Sequence, residues 1–224
     1  MANKVQIAYL ISDGLFLLMG VFILGFSIIV NNIKNEEPTN GRQAARNLLY
    51  QDFPLTAGIV NAVFVFIAFA ATLPGLATSS RKWLKLASYL AVFCMVFTTA
   101  LGLQIWIQTL RLRAEFAPRF SAQPDPVKSL MQVEFECCGY FNSSSPAFIT
   151  DTVCTSKAAA AVVRGCATPI SGFANVFLDT IFTALFGIVG FDAVFIMATA
   201  CLLKDRKERE RFQHIDEKHG YGRI

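Results

Sequence analysis

Along the chain, hydrophobic positions gather into four runs, 7–30, 54–77, 83–108 and 178–203. Each is long enough to cross a bilayer core, which takes about 20 mostly apolar residues. A single helix satisfies its own backbone hydrogen bonds in lipid, so each run predicts a transmembrane helix. The polar remainder divides into an N-terminal stub (1–6), a first connector (31–53), a tight turn (78–82), a long second loop (109–177) and a tail (204–224). Four crossings place both ends and the tight turn on one face and the two longer loops on the other.

Inside the long loop the pattern changes. After the break Pro124-Asp125-Pro126, the apolar residues Val127, Leu130, Met131 and Phe135 recur at helical spacing, with Lys128, Gln132, Glu134 and Glu136 on other faces. This predicts a short amphipathic helix running into Cys137-Cys138-Gly139, with Gly139 taking the left-handed conformation that ends it. Neighbouring cysteines at such a corner project in different directions, so each can bond a different distant segment.

Composition agrees with the pattern: 54% of the residues are hydrophobic, 16% are charged, and mean hydropathy is +0.48. That is too apolar for an ordinary soluble domain. A net charge of +4, dispersed and without a basic-aromatic array, gives no reason to expect a nucleic-acid partner. The first run exceeds the about 7 to 15 residues of a signal-peptide core and no small-x-small cleavage site follows it, so it is expected to stay as an anchor. Lys4, the group Arg81, Lys82 and Lys85, and the cluster Lys204, Arg206, Lys207, Arg209 and Arg211 favour a cytoplasmic face for both termini and the tight turn. The opposing loops hold nine Lys or Arg, but six of these lie in the long loop, which counts weakly.

The cysteines give the stronger indication. Four of six, Cys137, Cys138, Cys154 and Cys166, cluster in the long loop, and an even cluster in a polar loop beside a membrane reads as a disulfide framework formed in an oxidising compartment. The long loop is therefore expected outside the cell or in a lumen. Three pairings remain open on this reading. Zinc fits poorly, because His214 and His219 both lie in the tail and the spacing lacks a knuckle. No nucleophile-base arrangement, phosphate-binding glycine loop or metal-ligand cluster is evident, so enzyme chemistry is not expected.

Four spans, a small first and a larger second outer loop, Gln132-Val133-Glu134-Phe135-Glu136-Cys137-Cys138-Gly139 and Gly165-Cys166 before the last span together resemble the tetraspanin family. The likeness covers essentially the whole chain. Its compact length and its opening Met1-Ala2-Asn3-Lys4-Val5 are most similar to the members that filamentous fungi need to penetrate a host from their infection structures. The resemblance implies an all-α fold: a four-transmembrane-helix bundle carrying a small, mostly helical, disulfide-stapled extracellular domain. It also implies pairing of Cys137 with Cys166 and of Cys138 with Cys154, although Thr152-Val153 stands before Cys154 where the family often has Pro-x-Ser. Residues 140–165 then become a presented patch, with Tyr140, Phe141, Phe148 and Ile149 as the partner-binding candidates; Phe141 and Phe148 have the alternative role of filling the small domain's core. Asn142-Ser143-Ser144 is a glycosylation sequon on the same loop.

Asp13 and Asp192 interrupt apolar spans, which is costly and hence informative. At about 1.5 Å per residue, Asp13 lies ~14 Å past Lys4 and Asp192 ~18 Å before Lys204, so the two share a depth. The family has a polar residue early in the first span, usually Asn, and an acidic one in the fourth. The expectation is that the two carboxyls share a proton or bind a sterol hydroxyl between the spans, or else form plain interhelical hydrogen bonds to Asn61 or Gln104. No cofactor is expected; a cholesterol- or ergosterol-type lipid is the candidate ligand of such a cavity. Gly14, Gly20, Gly25 and Gly58 would let the first two spans approach closely. Cys201, near the cytoplasmic end of the last span, is the palmitoylation candidate, whereas Cys94 is deeper and reads as packing. The tail alternates charge at i,i+4 spacing, as a solvated helix does.

The functional expectation is a multi-pass plasma-membrane organiser, with endosomal or vacuolar vesicles as a further location. It would gather other integral membrane proteins, lipids including sterol, and copies of itself into microdomains. The alternative is a proton-coupled transporter or channel using Asp13 and Asp192. Against that stand four spans only, no internal repeat and no pair of broken helices. Claudins place the larger disulfide loop first and connexins put cysteines in both outer loops; 31–53 has none.

Overall fold

The computed structural model describes residues 2–78 and 81–218; the middle of the tight turn, His219 and the rest of the tail's end lie outside the described residues. The chain is all-helical. Seven helices follow one another: α1 (Ala2–Ile33), α2 (Gly41–Tyr50), α3 (Leu55–Ala77), α4 (Arg81–Ala122), α5 (Asp125–Phe135), α6 (Lys157–Val162) and α7 (Ala167–Lys218). Among the described residues no strand forms; isolated bridges join Asn142 to Ser145 and Ser144 to Ala147. Four helices, α1, α3, α4 and α7, are long and apolar enough to cross a membrane.

Two of these overrun the apolar runs. Beyond Gln108, α4 continues to Ala122 because Leu112, Phe116 and Phe120 keep a buried helical face while Arg111, Arg113 and Glu115 take the others. Helix α7 begins directly after Cys166 and buries Ile170 and Ala174 before the apolar run starts at Leu178. Much of the long loop is thus helix continuous with the spans. The connector between α1 and α3 is ordered too, as α2.

The chain divides into two compact units, one of Met1–Phe26, Thr56–Leu101 and Leu185–Ile224, the other of Ser27–Leu55 and Gly102–Ala184. In the first, buried positions alternate three and four apart. Helix α1 buries Tyr9, Asp13, Phe16, Gly20 and Ile23; α4 buries Leu84, Ala87, Ala91, Cys94 and Thr98; α7 buries Ile188, Asp192, Phe195, Thr199 and Leu202. A period of 3.5 keeps one seam of each helix facing its neighbours, as in coiled coils. Phe16 stacks on Phe195 at 4.6 Å between ring centres, with Tyr9, Val65, Ala68 and Cys94 around them. Gly20 permits a close approach of α1 to α3, since a Cβ there would stand 2.6 Å from Val65 Cγ1. Gly14 and Gly25 face open space and do not share that role. Ile11, Leu18, Phe22, Val96 and Met197 point outward. So extensive an apolar surface suits lipid rather than water.

At one end of this unit the polar part of α7 is tied down. Arg206 Nη1 donates to the Gly75 carbonyl in the last turn of α3 at 2.7 Å, and Arg81 pairs with Glu210 at 2.5 Å.

In the second unit α2 packs on α5. Asn40 caps α2 by accepting from the Gln43 N–H at 2.8 Å, and Gln43 Oε1 accepts in turn from the backbone and hydroxyl of Thr39. Ala44, Ala45, Leu48 and Leu49 form the buried face of α2. Arg42 bridges to Glu134 at 2.7 Å. Asp52, just after α2, is held by Arg119 and accepts through its carbonyl from Gln108 Nε2.

Candidate functional site

Helix α5 starts at Asp125 with Pro126 in its first turn, where a missing N–H breaks no helical hydrogen bond, and ends at Phe135. Its stop is Glu136, held at φ 47°, with its N–H and that of Cys137 returning to carbonyls of the last turn, the latter to Gln132 at 3.1 Å. This corrects the expectation that Gly139 ends the helix. Gly139 is also left-handed, at φ 68°, but it turns the next segment, where a Cβ would collide with the carbonyl oxygens of Asn142 and Pro146.

Two left-handed residues flank the cysteine pair and send the two thiols apart. Cys137 is bonded to Cys166, the residue before α7, and Cys138 to Cys154. Backbone hydrogen bonds reinforce the first bridge: Cys138 N–H to the Arg164 carbonyl, Cys166 N–H to Gly139, and Ala167 N–H to Tyr140, at 2.8 to 3.0 Å. The second bridge gathers a small core of Cys138, Cys154 and Ala160, against which Phe148, Val153 and Val163 pack.

Between the bridges the backbone lacks regular partners, and one buried side chain supplies them. Gln132 donates through Nε2 to the Ile149 carbonyl and to Asp151 Oδ2, and accepts through Oε1 from the Ile149 and Gly139 N–H groups. Asp151 completes the turn by accepting from the Val153 and Cys154 N–H groups. Gln132 is the residue that composition and spacing placed on a helix face without a role. The signal that would have marked it was its place one helical turn before the cysteines.

The four expected contact residues separate. Tyr140 is fully buried: its ring lies between Phe116, Phe120 and Phe141, and its hydroxyl donates to the Arg113 carbonyl at 3.0 Å. It locks the overrun of α4 to the cysteine corner and is not available to a partner. Phe141 is exposed, at 46%, while Phe148 and Ile149 are half-buried. Val162, at the end of α6 and 87% exposed, belongs to the same presented region and had no counterpart among the expected residues. Asn142 is exposed, and its side-chain oxygen accepts from the N–H and hydroxyl of Ser144, so the sequon is folded into a tight turn.

The intramembrane set does not converge. Asp13 Oδ2 accepts from the Thr72 hydroxyl on α3 at 3.0 Å, and among the described residues its other oxygen is buried without a hydrogen-bond partner. Asp192 is close enough to Cys94 on α4 to interact with it electrostatically. Among the described residues no hydrogen bond joins the two carboxyls, which are buried on different helices, α1 and α7. Asn61 donates to Thr98 at 2.8 Å and reaches neither acid. Gln104 is exposed on the outer face of α4, because Leu101 and Ile105 take the inner one. Cys94 is buried and unbonded; Cys201 is unbonded and exposed. Among the described residues no His, Cys, Asp or Glu cluster could hold a metal ion.

Comparison of the chain with protein-family models, with curated proteins and with solved structures finds no match.

Proposed function

We propose that this protein is a non-catalytic membrane organiser on the tetraspanin plan. Four helices anchor it in the plasma membrane with both termini in the cytoplasm, and residues 140–165 are offered outside the cell to other integral membrane proteins, which the protein gathers into microdomains. The observation that carries this reading is the cysteine corner, where two adjacent residues bond two separate segments, one of them the start of the long apolar helix α7. A segment this poor in buried apolar surface would otherwise yield to chain entropy. Phe141, Phe148, Ile149 and Val162 are its contact residues. Asn142 is its glycan acceptor, and Cys201, exposed at the other end, its acylation site. Penetration of a host by a filamentous fungus is the setting that the residues Met1-Ala2-Asn3-Lys4-Val5 favour.

Crosslinking in intact cells followed by mass spectrometry, with the natural chain compared to one whose residues 140–165 are replaced, tests the proposal. The natural chain should recover one or more membrane proteins that the replaced chain loses. Identical recovery would defeat it. The buried Asp13 and Asp192 support a second reading as a proton-coupled carrier. Purified protein in liposomes under a pH gradient separates the two, because an organiser carries no flux.

A further inference from the structure

We infer that the second unit holds a phospholipid, whose phosphate sits on Arg46 and whose chains start along Phe173 and Phe177. Arg42 and Arg46 stand one turn apart on α2, and Phe173 and Phe177 one turn apart on α7; with Glu134 they line one groove of about 630 Å³. Sites for small ligands commonly span about 300 to 1,000 Å³. A cationic ladder facing an aromatic one matches a molecule that is anionic at one point and apolar beyond it.

The two arginines differ in what they have left to offer. Arg42 is already committed to Glu134. Arg46 has no carboxylate partner among the described residues: its guanidinium lies 5.8 Å from the centre of the Tyr50 ring, and its Nε is buried with no hydrogen-bond acceptor. A guanidinium that lines the groove with no anionic partner can take a phosphate diester, whose two oxygens match the geometry that the planar fork prefers. The lining sums to one positive charge, Arg42 and Arg46 against Glu134, equal and opposite to one phosphate diester.

A lipid is favoured over a free anion by the place of α2 in the chain. Seven residues separate Gly41 from the end of α1 at Ile33, and four separate Tyr50 from the start of α3 at Leu55. A short helix leashed at both ends to apolar helices stays at headgroup level. Phe177 directly precedes the apolar run of α7, where membrane proteins place aromatic anchors. This inference rests on the membrane reading of the four long helices.

The test uses the full chain, purified in mild detergent with both disulfides verified by non-reducing peptide mapping, and native mass spectrometry with added dioleoyl phosphatidylglycerol or the phosphate-free dioleoylglycerol galactoside. The natural chain should retain the phosphatidylglycerol, and Arg46→Gln should weaken retention about tenfold, as expected for losing one charge-assisted contact. Phe173→Ser should weaken lipid retention without creating affinity for inorganic phosphate. Equal retention by Arg46→Gln, or equal retention of the phosphate-free lipid by the natural chain, overturns the inference. So does displacement of the lipid by millimolar inorganic phosphate, which would mark a free-anion site. The second comparison needs no variant, so a folding defect in Arg46→Gln leaves the test intact. A chain that partitions into water without detergent would instead defeat the membrane reading itself.

Discussion

A phenol packed among Phe116, Phe120 and Phe141 can lose its proton only by placing a charge where water cannot reach it. Burial pushes the Tyr140 phenol up to about 12 from an ordinary 10.0, with Arg113 opposing weakly. The neutral form is the one that folds. Its contribution to stability is therefore complete below about pH 10, where the unfolded chain also keeps the proton, and is lost as pH rises from about 10 to about 12. Denaturant unfolding of the natural chain across that window should show the loss, and Tyr140→Phe should flatten it. At neutral pH the same variant should cost only about 1 kcal/mol, for the bond to the Arg113 carbonyl. Glu136 invites the opposite change. Held at φ 47° with an exposed side chain, it carries backbone strain that glycine does not feel, so Glu136→Gly should raise stability by up to about 1 kcal/mol in the same assay. No reading of the sequence placed the helix stop there, because glutamate is a good helix former and Gly139 is the residue that looks like a cap.

At the scale of elements, the difference between what the sequence discloses and what it conceals follows hydropathy. The four spans are legible because apolar runs of more than about 20 residues have few other stable solutions. The extensions of α4 and α7 are not, since Arg111, Arg113 and Glu115 lower the local hydropathy while leaving the helical face of Leu112, Phe116 and Phe120 unbroken. Periodicity, not hydropathy, was the signal there. Helices α2 and α6 carried their own marks: Asn40 followed three residues later by Gln43, and Ser156 ahead of an alanine run, are both capping patterns. Residue counts speak to depth along a helix but not to direction around it, and so they did not disclose that Asp13 takes the Thr72 hydroxyl as its partner. For α2 the cap supplies a direct test. Asn40→Ala should destabilise the helix by about 1 kcal/mol and speed amide exchange across Gly41–Tyr50, with little change in α3.

At the scale of the whole molecule, the two covalent bridges are nested: 138–154 closes inside 137–166. Loops of these separations are each worth about 3 to 4 kcal/mol by restriction of the unfolded chain, although nested closures do not add fully. The inner pair, changed to serine at Cys138 and Cys154, should free only the segment between them, so limited proteolysis should cut near 143–153 and leave α5 attached to α7. The outer pair, changed at Cys137 and Cys166, should release α5 from the start of α7 and open the unit as a whole. Cutting patterns that coincide for the two double variants would contradict this hierarchy.

Nesting also sets what can be rewritten. Between Phe141 and Ala147 the enclosed residues meet the rest of the chain mainly through backbone groups, so their identity is weakly constrained, whereas Gly139, Tyr140, Phe148 and Asp151 are fixed by their contacts. Such a cassette tolerates foreign insertions: an epitope grafted at Ser143–Ser145 would be displayed in a fixed frame, without redesign of the scaffold beneath it.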